Sequence, residues 1–194
     1  MVQPPPFVQA IQYHELKQVN KNGKRVYETP SGTTPSVTTI LSKTNDQTGL
    51  NAWKARVGEQ EAHRIVTVAA GVGTALHNNL EKFLAGEKRV PGNNLVHVQA
   101  NKMADIIIEN GIVDVDEVWG IEQGLYYPEM YSGTTDLCGV YKGNPSIMDF
   151  KQTNKPKKKE WVDDYYLQMA AYATAHNKVL SLIHISEHTR LHGI

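Results

Sequence analysis

The run Ser146-Ile147-Met148-Asp149-Phe150-Lys151-Gln152 sets a carboxylate and an ammonium two residues apart in otherwise strand-like sequence. Side chains on a strand alternate faces, so Asp149 and Lys151 project together while Met148 and Phe150 face the opposite side. A second carboxylate, Asp136, lies upstream in Gly133-Thr134-Thr135-Asp136, and Lys142-Gly143-Asn144-Pro145 between them is a tight-turn sequence. That turn makes the two strands antiparallel neighbours and, to within two residues of register, brings Asp136 across from Asp149. Carboxylates that close repel unless something cationic sits between them. An oxygen-rich cluster of this kind suits a hard divalent ion such as Mg²⁺, with Lys151 beside it. An Asp-x-Lys triplet by itself is equally an ordinary surface pair, so its weight comes from its company.

Two helical segments supply that company. Trp161, Tyr165, Gln168 and Tyr172 follow helical spacing and share one stripe. Trp161 and Tyr165 read as core. Gln168 does not, because a buried amide without partners costs about 1–3 kcal/mol; the sheet edge carrying Asp149 and Lys151 is its natural target. In Gly73-x-x-x-His77, within "GTALHNNLEKF", His77 and Glu81 border an apolar face of Leu76, Leu80, Phe83 and Leu84, and Gly73 would let the backbone approach the sheet. Glu122, on the strand before Asp136, is a secondary candidate, with a surface salt bridge as the competing role.

The elements that must position these residues can be read along the chain. Residues 1–10 hold three consecutive prolines and read as an extended, mobile arm. Residues 13–32 read as a hairpin turning at Asn22-Gly23. Helices are expected over about 49–69, from Gly73 to Gly86, over 96–109 and over 160–178. Strands are expected at 117–123, 134–141 and 146–152. The order is helices, a strand meander, then a helix packed back on the sheet. Residues 11–178 read as one domain. Residues 179–194 lack periodicity beyond a possible strand at 180–185 and read as a tail of non-native origin.

In order, Gly73/His77, Gly133/Asp136, Asp149/Lys151 and Gln168/Tyr172 resemble the PD-(D/E)XK nuclease superfamily, and more closely its RecB-like exonuclease branch. "TPSVTTIL" and Trp53 are similar to segments of phage-type exonucleases and of the mitochondrial genome maintenance exonuclease. The resemblance covers about residues 25–178. It implies an α/β fold with a restriction-endonuclease-like core, a central mixed β-sheet flanked by helices, extended by the N-terminal hairpin and helices. It also implies Mg²⁺-dependent hydrolysis of DNA, Mn²⁺ substituting, on single-stranded ends in phage DNA metabolism. The implied metal ligands are His77, Asp136, Asp149 and the Phe150 carbonyl. Lys151 would orient the nucleophile, and Gln168 and Tyr172 would position Lys151 and the scissile phosphate. Lys155, Lys157, Lys158 and Lys159 leave the active-site strand directly and would meet the DNA backbone. The cysteines that hold an iron–sulfur cluster in some relatives are missing.

Composition bounds the alternatives. Lys+Arg and Asp+Glu both number 20, so net charge neither favours nor excludes nucleic acid. One cysteine, Cys138, excludes an internal disulfide and argues against a cysteine-held zinc or iron–sulfur site. No apolar run is long enough to span a bilayer, so a cytoplasmic monomer is expected, in the host cytoplasm if phage-encoded. A structure-specific endonuclease and a non-catalytic nucleic-acid-binding protein on the same fold are the alternatives. A glycosidase using Asp136 and Asp149 leaves Lys151 and the Gln-Tyr helix without a role.

Overall fold

A computed structural model describes residues 2–153 and 162–190, side chains of 181–190 excepted. The hairpin forms where its turn residues require. β1 (Lys17–Lys21) and β2 (Lys24–Thr29) meet at Asn22 and Gly23, whose φ values of 55° and 73° are those of a type I′ turn. β3 (Gly32–Pro35) pairs antiparallel with β2. Ser36 then ends the sheet and starts α1 (Val37–Thr44), its hydroxyl accepting the Thr39 N–H at 3.0 Å.

Next come α2 (Thr48–Val57) and α3 (Glu59–Leu84), separated by Gly58 at φ 87°. The expected break before Gly73 is absent, and α3 runs straight through Gly71 and Gly73. Each glycine costs a helix about 1 kcal/mol. The apolar face of Val72, Ala75, Leu76, Leu80 and Leu84, all buried, outweighs that cost. α4 (Leu95–Asn110) is capped by the Asn94 side chain.

The second sheet is a meander of β4 (Val115–Tyr127), β5 (Tyr131–Tyr141) and β6 (Asn144–Met148). Lys142 and Gly143, at φ 48° and 76°, make its second turn. The fold is α/β, but the expected mixed sheet is replaced by two antiparallel three-stranded sheets. Tight turns between consecutive strands impose this, since a parallel neighbour needs a long crossover. Parallel contacts among the described residues are confined to two isolated bridges, Phe7 with Val118 and Ser36 with Ser132. β6 stops at Met148, short of residue 152. α5 (Asp163–Arg190) absorbs the strand expected at 180–185; a short apolar run following a helix extends it as readily as it starts a strand.

Both faces of the second sheet are covered. Leu76, Leu80, Ala100, Ala104 and Ile108 of α3 and α4 pack with Val118 and Leu137, and Met148 and Phe150 join this side. Val37 of α1 and Tyr172 and Ala175 of α5 pack with Leu125, and Ile147 joins that side. The N-terminal arm is extended, and its backbone is tied to β4: the Val8 N–H donates to Val118 O at 2.8 Å, and the Val118 N–H to Pro6 O at 2.9 Å. Cys138 is a buried free thiol. Among the described residues no helix is long and apolar enough to cross a membrane.

The two motif glycines differ sharply. A Cβ on Gly133 would fall 2.4 Å from Tyr172 Cε1, so only glycine lets α5 seat its tyrosine on β5. A Cβ on Gly73 would meet the Gln152 side chain at 3.5 Å, an ordinary contact, so the close approach expected there is not one that demands glycine. In urea unfolding, Gly133→Ala should cost about 1–3 kcal/mol, partly recovered by adding Tyr172→Leu. Gly73→Ala should be neutral or stabilise by up to about 1 kcal/mol. A Gly133→Ala chain as stable as the parent would contradict this packing.

Candidate metal centre

The register of the meander builds the site. Leu137 pairs with Met148 and Cys138 with Ile147, so one residue further Asp136 faces Asp149. On the other side Ile121 pairs with Leu137 and Gln123 with Thr135, which sets Glu122 opposite Asp136. Glu122, Asp136 and Asp149 thus form a row of three carboxylates across β4, β5 and the residue that follows β6. Glu122 has φ 48°, a left-handed conformation uncommon outside glycine.

Helices from both sides of the sheet reach this row. His77 of α3 places Nδ1 3.1 Å from Asp136 Oδ1. The Phe150 N–H donates to Asp136 Oδ2, so both oxygens of this buried carboxylate are held. Lys151 Nζ forms an ion pair with Asp149 Oδ2 and lies 5.7 Å from the centre of the Tyr165 ring. Gln168 of α5, itself buried, uses Nε2 to donate to Asp149 Oδ1 at 3.4 Å and to the Tyr172 hydroxyl at 3.2 Å. The polar target that Gln168 requires is therefore Asp149 together with Tyr172.

The electrostatics follow from crowding. Burial, then the Asp136 charge, raises the Asp149 pKa, with the Lys151 ammonium acting against the rise. Partial burial, then Asp136, pushes Glu122 up to about 7, with His77 opposing. Glu122 is exposed at the rim, so water screens part of that push. The hydrogen bond to Asp136 raises the His77 pKa although burial works the other way. Burial pushes the Tyr172 hydroxyl up to about 12.

The donor set fits a divalent cation. One ligand atom each from His77, Glu122 and Asp136 lies within 4.8 Å of the others. Two carboxylates and an imidazole suit Mn²⁺ well and Mg²⁺ adequately. Asp149 contacts Lys151 and Gln168, and the Phe150 N–H donates to Asp136. Glu122, a secondary candidate from sequence, takes the place beside Asp136.

His77, Glu122, Asp136, Asp149, Lys151, Gln168 and Tyr172 line one cleft of about 260 Å³. Its far wall comes from the first sheet and α1: Gln18, Arg25, Tyr27 and Thr38. The Tyr27 hydroxyl donates to Gln18 Oε1 at 3.0 Å and lies 3.1 Å from Thr134 Oγ1, which locks this wall onto β5. Sequence reasoning missed these residues, because nothing local shows that the two sheets meet. Lys155, Lys157, Lys158 and Lys159 lie outside the described residues. No family model and no curated protein matches the chain.

The two buried-side histidines should titrate in opposite directions. His176 of α5 is buried, 2.8 Å from the Tyr13 hydroxyl, and burial lowers its pKa. In NMR titration with chelator present, His77 should titrate above the ordinary value of about 6.5 and His176 below it. Asp136→Asn should move His77 down. Because the folded-state pKa of His77 is raised, its contribution to stability is full below about pH 6.5 and is lost as pH rises through the folded value. A His77 that titrates below His176 would contradict the Asp136 contact.

Proposed function

We propose that this chain is a divalent-metal-dependent deoxyribonuclease of the PD-(D/E)XK type, with a restriction-endonuclease-like core. The observation that carries the reading is convergence. Four sequence blocks, spread over residues 73–172, deliver His77, Asp136, Asp149 with Lys151, and Gln168 with Tyr172 to one cleft. The antiparallel sheet covered by helices on both faces supports the fold assignment. The exonuclease mode, on free single-stranded ends in phage DNA metabolism, is taken from the sequence resemblance.

His77, Glu122 and Asp136 would hold the metal. When bound, a divalent ion supplies Lewis-acid polarisation of the phosphoryl oxygen and a more acidic water. The chain's own residues do the positioning. Asp149 holds the Lys151 ammonium at the cleft, where it can donate to a phosphate oxygen and stabilise charge that builds up during attack. Gln168 fixes Asp149 and Tyr172 together, so the ammonium has one orientation. Phe150, packed against the first core, keeps Asp149 and Lys151 aimed at the same side.

The test is digestion of 5′- and 3′-labelled single- and double-stranded DNA, with a circular control. Cleavage should require Mg²⁺ or Mn²⁺ and spare the circle. Cleavage of the circle would replace the exonuclease mode with an endonuclease. Lys151→Ala should lower the rate about 10²–10³-fold, and Asp149→Ala at least as much; near-normal metal-dependent cleavage by Lys151→Ala would refute the mechanism. Mn²⁺ should support activity at least as well as Mg²⁺, and His77→Ala should narrow that difference.

A further inference from the structure

Beside the metal cleft lies a groove of about 620 Å³, between the N-terminal arm and β4. That volume falls in the ligand-sized range of about 300–1,000 Å³. Glu122 lines both the groove and the cleft, so the two spaces meet at the carboxylate row. We propose that this groove is a nucleobase-binding subsite, which seats the base of a single-stranded substrate next to the phosphate held in the cleft. The inference rests on the nuclease reading and extends it to how the strand is held.

The lining has the chemistry of base recognition. Phe7, Trp119 and His14 offer aromatic faces, and Gln9, Gln12 and Gln123 offer amides. Aromatic faces stack on any base, and amides pair with base edges. These faces are held in place. Phe7 is 60% exposed, yet its backbone lies in a bridge to Val118 flanked by the two hydrogen bonds at Pro6 and Val8. Its exposure therefore belongs to an ordered segment. The Trp119 indole N–H donates to Glu117 at 2.9 Å, which fixes the ring. The arm itself is locked by Tyr13, packed beside Gly120 and bonded to His176 of α5.

Charge separates base from phosphate. Among the described residues the groove lining contains Glu15 and Glu122 but no lysine or arginine, and these carboxylates would repel a phosphate inside it. Lys151 and Arg25 line the cleft instead. A strand crossing the carboxylate row thus meets cations where its phosphate lies and neutral rings and amides where its base lies. The groove is walled by one extended segment on one strand, which suits a single unpaired base.

The probe is a short oligothymidylate, compared with an abasic strand of equal length, both with chelator so that nothing is cut. Trp53, Trp119 and Trp161 are the three tryptophans, so Trp53→Phe with Trp161→Phe leaves Trp119 as the reporter. Oligothymidylate should quench Trp119 emission, and the abasic strand should not. In the otherwise unaltered chain, Phe7→Ala should weaken oligothymidylate binding about tenfold by fluorescence anisotropy, with its thermal midpoint unchanged because the ring is exposed. Equal quenching by both strands, or unchanged affinity in Phe7→Ala, would overturn the subsite. Cleavage is measured separately with Mn²⁺. Base-dependent quenching in a chain that cuts nothing would leave the subsite standing and refute the nuclease reading. Normal cleavage with unchanged Phe7→Ala affinity would do the reverse.

Discussion

Three carboxylates in one cross-strand row are the constraint on which the rest of the structure turns. Glu122, Asp136 and Asp149 stand opposite one another on β4, β5 and beyond the end of β6. Like charges directly across strands are destabilising, and here the Asp136 charge adds to burial, the larger cause, in raising the pKa values of Asp149 and Glu122. A fold selected for stability alone would not place them so. The surrounding residues relieve the repulsion unevenly. His77 and the Phe150 N–H engage Asp136, and Lys151 and Gln168 engage Asp149. Glu122 stands exposed at the open rim.

This uneven relief divides the row into two halves. The Glu122–Asp136 half, with His77, gathers metal-type donors. The Asp149 half holds an ammonium and, through Gln168, the Tyr172 hydroxyl. Gly133 couples that half to the fold, because the space its side chain would fill is occupied by the Tyr172 ring. Blocks that look unrelated along the chain are thus parts of one packing solution: a glycine on β5 makes room for a tyrosine on α5, which shares an amide with the carboxylate past β6.

Much of this was legible because short-range rules govern it. A turn over 142–145 places Asp136 within two residues of Asp149, and the tighter Lys142-Gly143 turn brings them opposite one another. The two-residue spacing of Asp149 and Lys151 put them on one side, although β6 ends before either. The buried amide of Gln168 demanded a partner and has two. What was hidden depends on long-range packing. Glu122 joins the row only because β4 runs on to Tyr127 and turns at residues 128–130, where Glu129 takes φ 62° without an Asn-Gly signature. The unbroken α3 reflects burial overriding two glycines. Gln18, Arg25 and Tyr27 reach the cleft because one sheet docks on another, and no local pattern announces that.

The central claim is that the carboxylate row is a divalent-metal site. Isothermal titration of the metal-free protein with Mn²⁺ tests it most directly, without reference to substrate or strand polarity. Binding should be saturable, lost in Asp136→Asn and weakened in Glu122→Gln, with the folded state of both variants verified by circular dichroism. No saturable binding by the parent chain, or undiminished binding by Asp136→Asn, would contradict it.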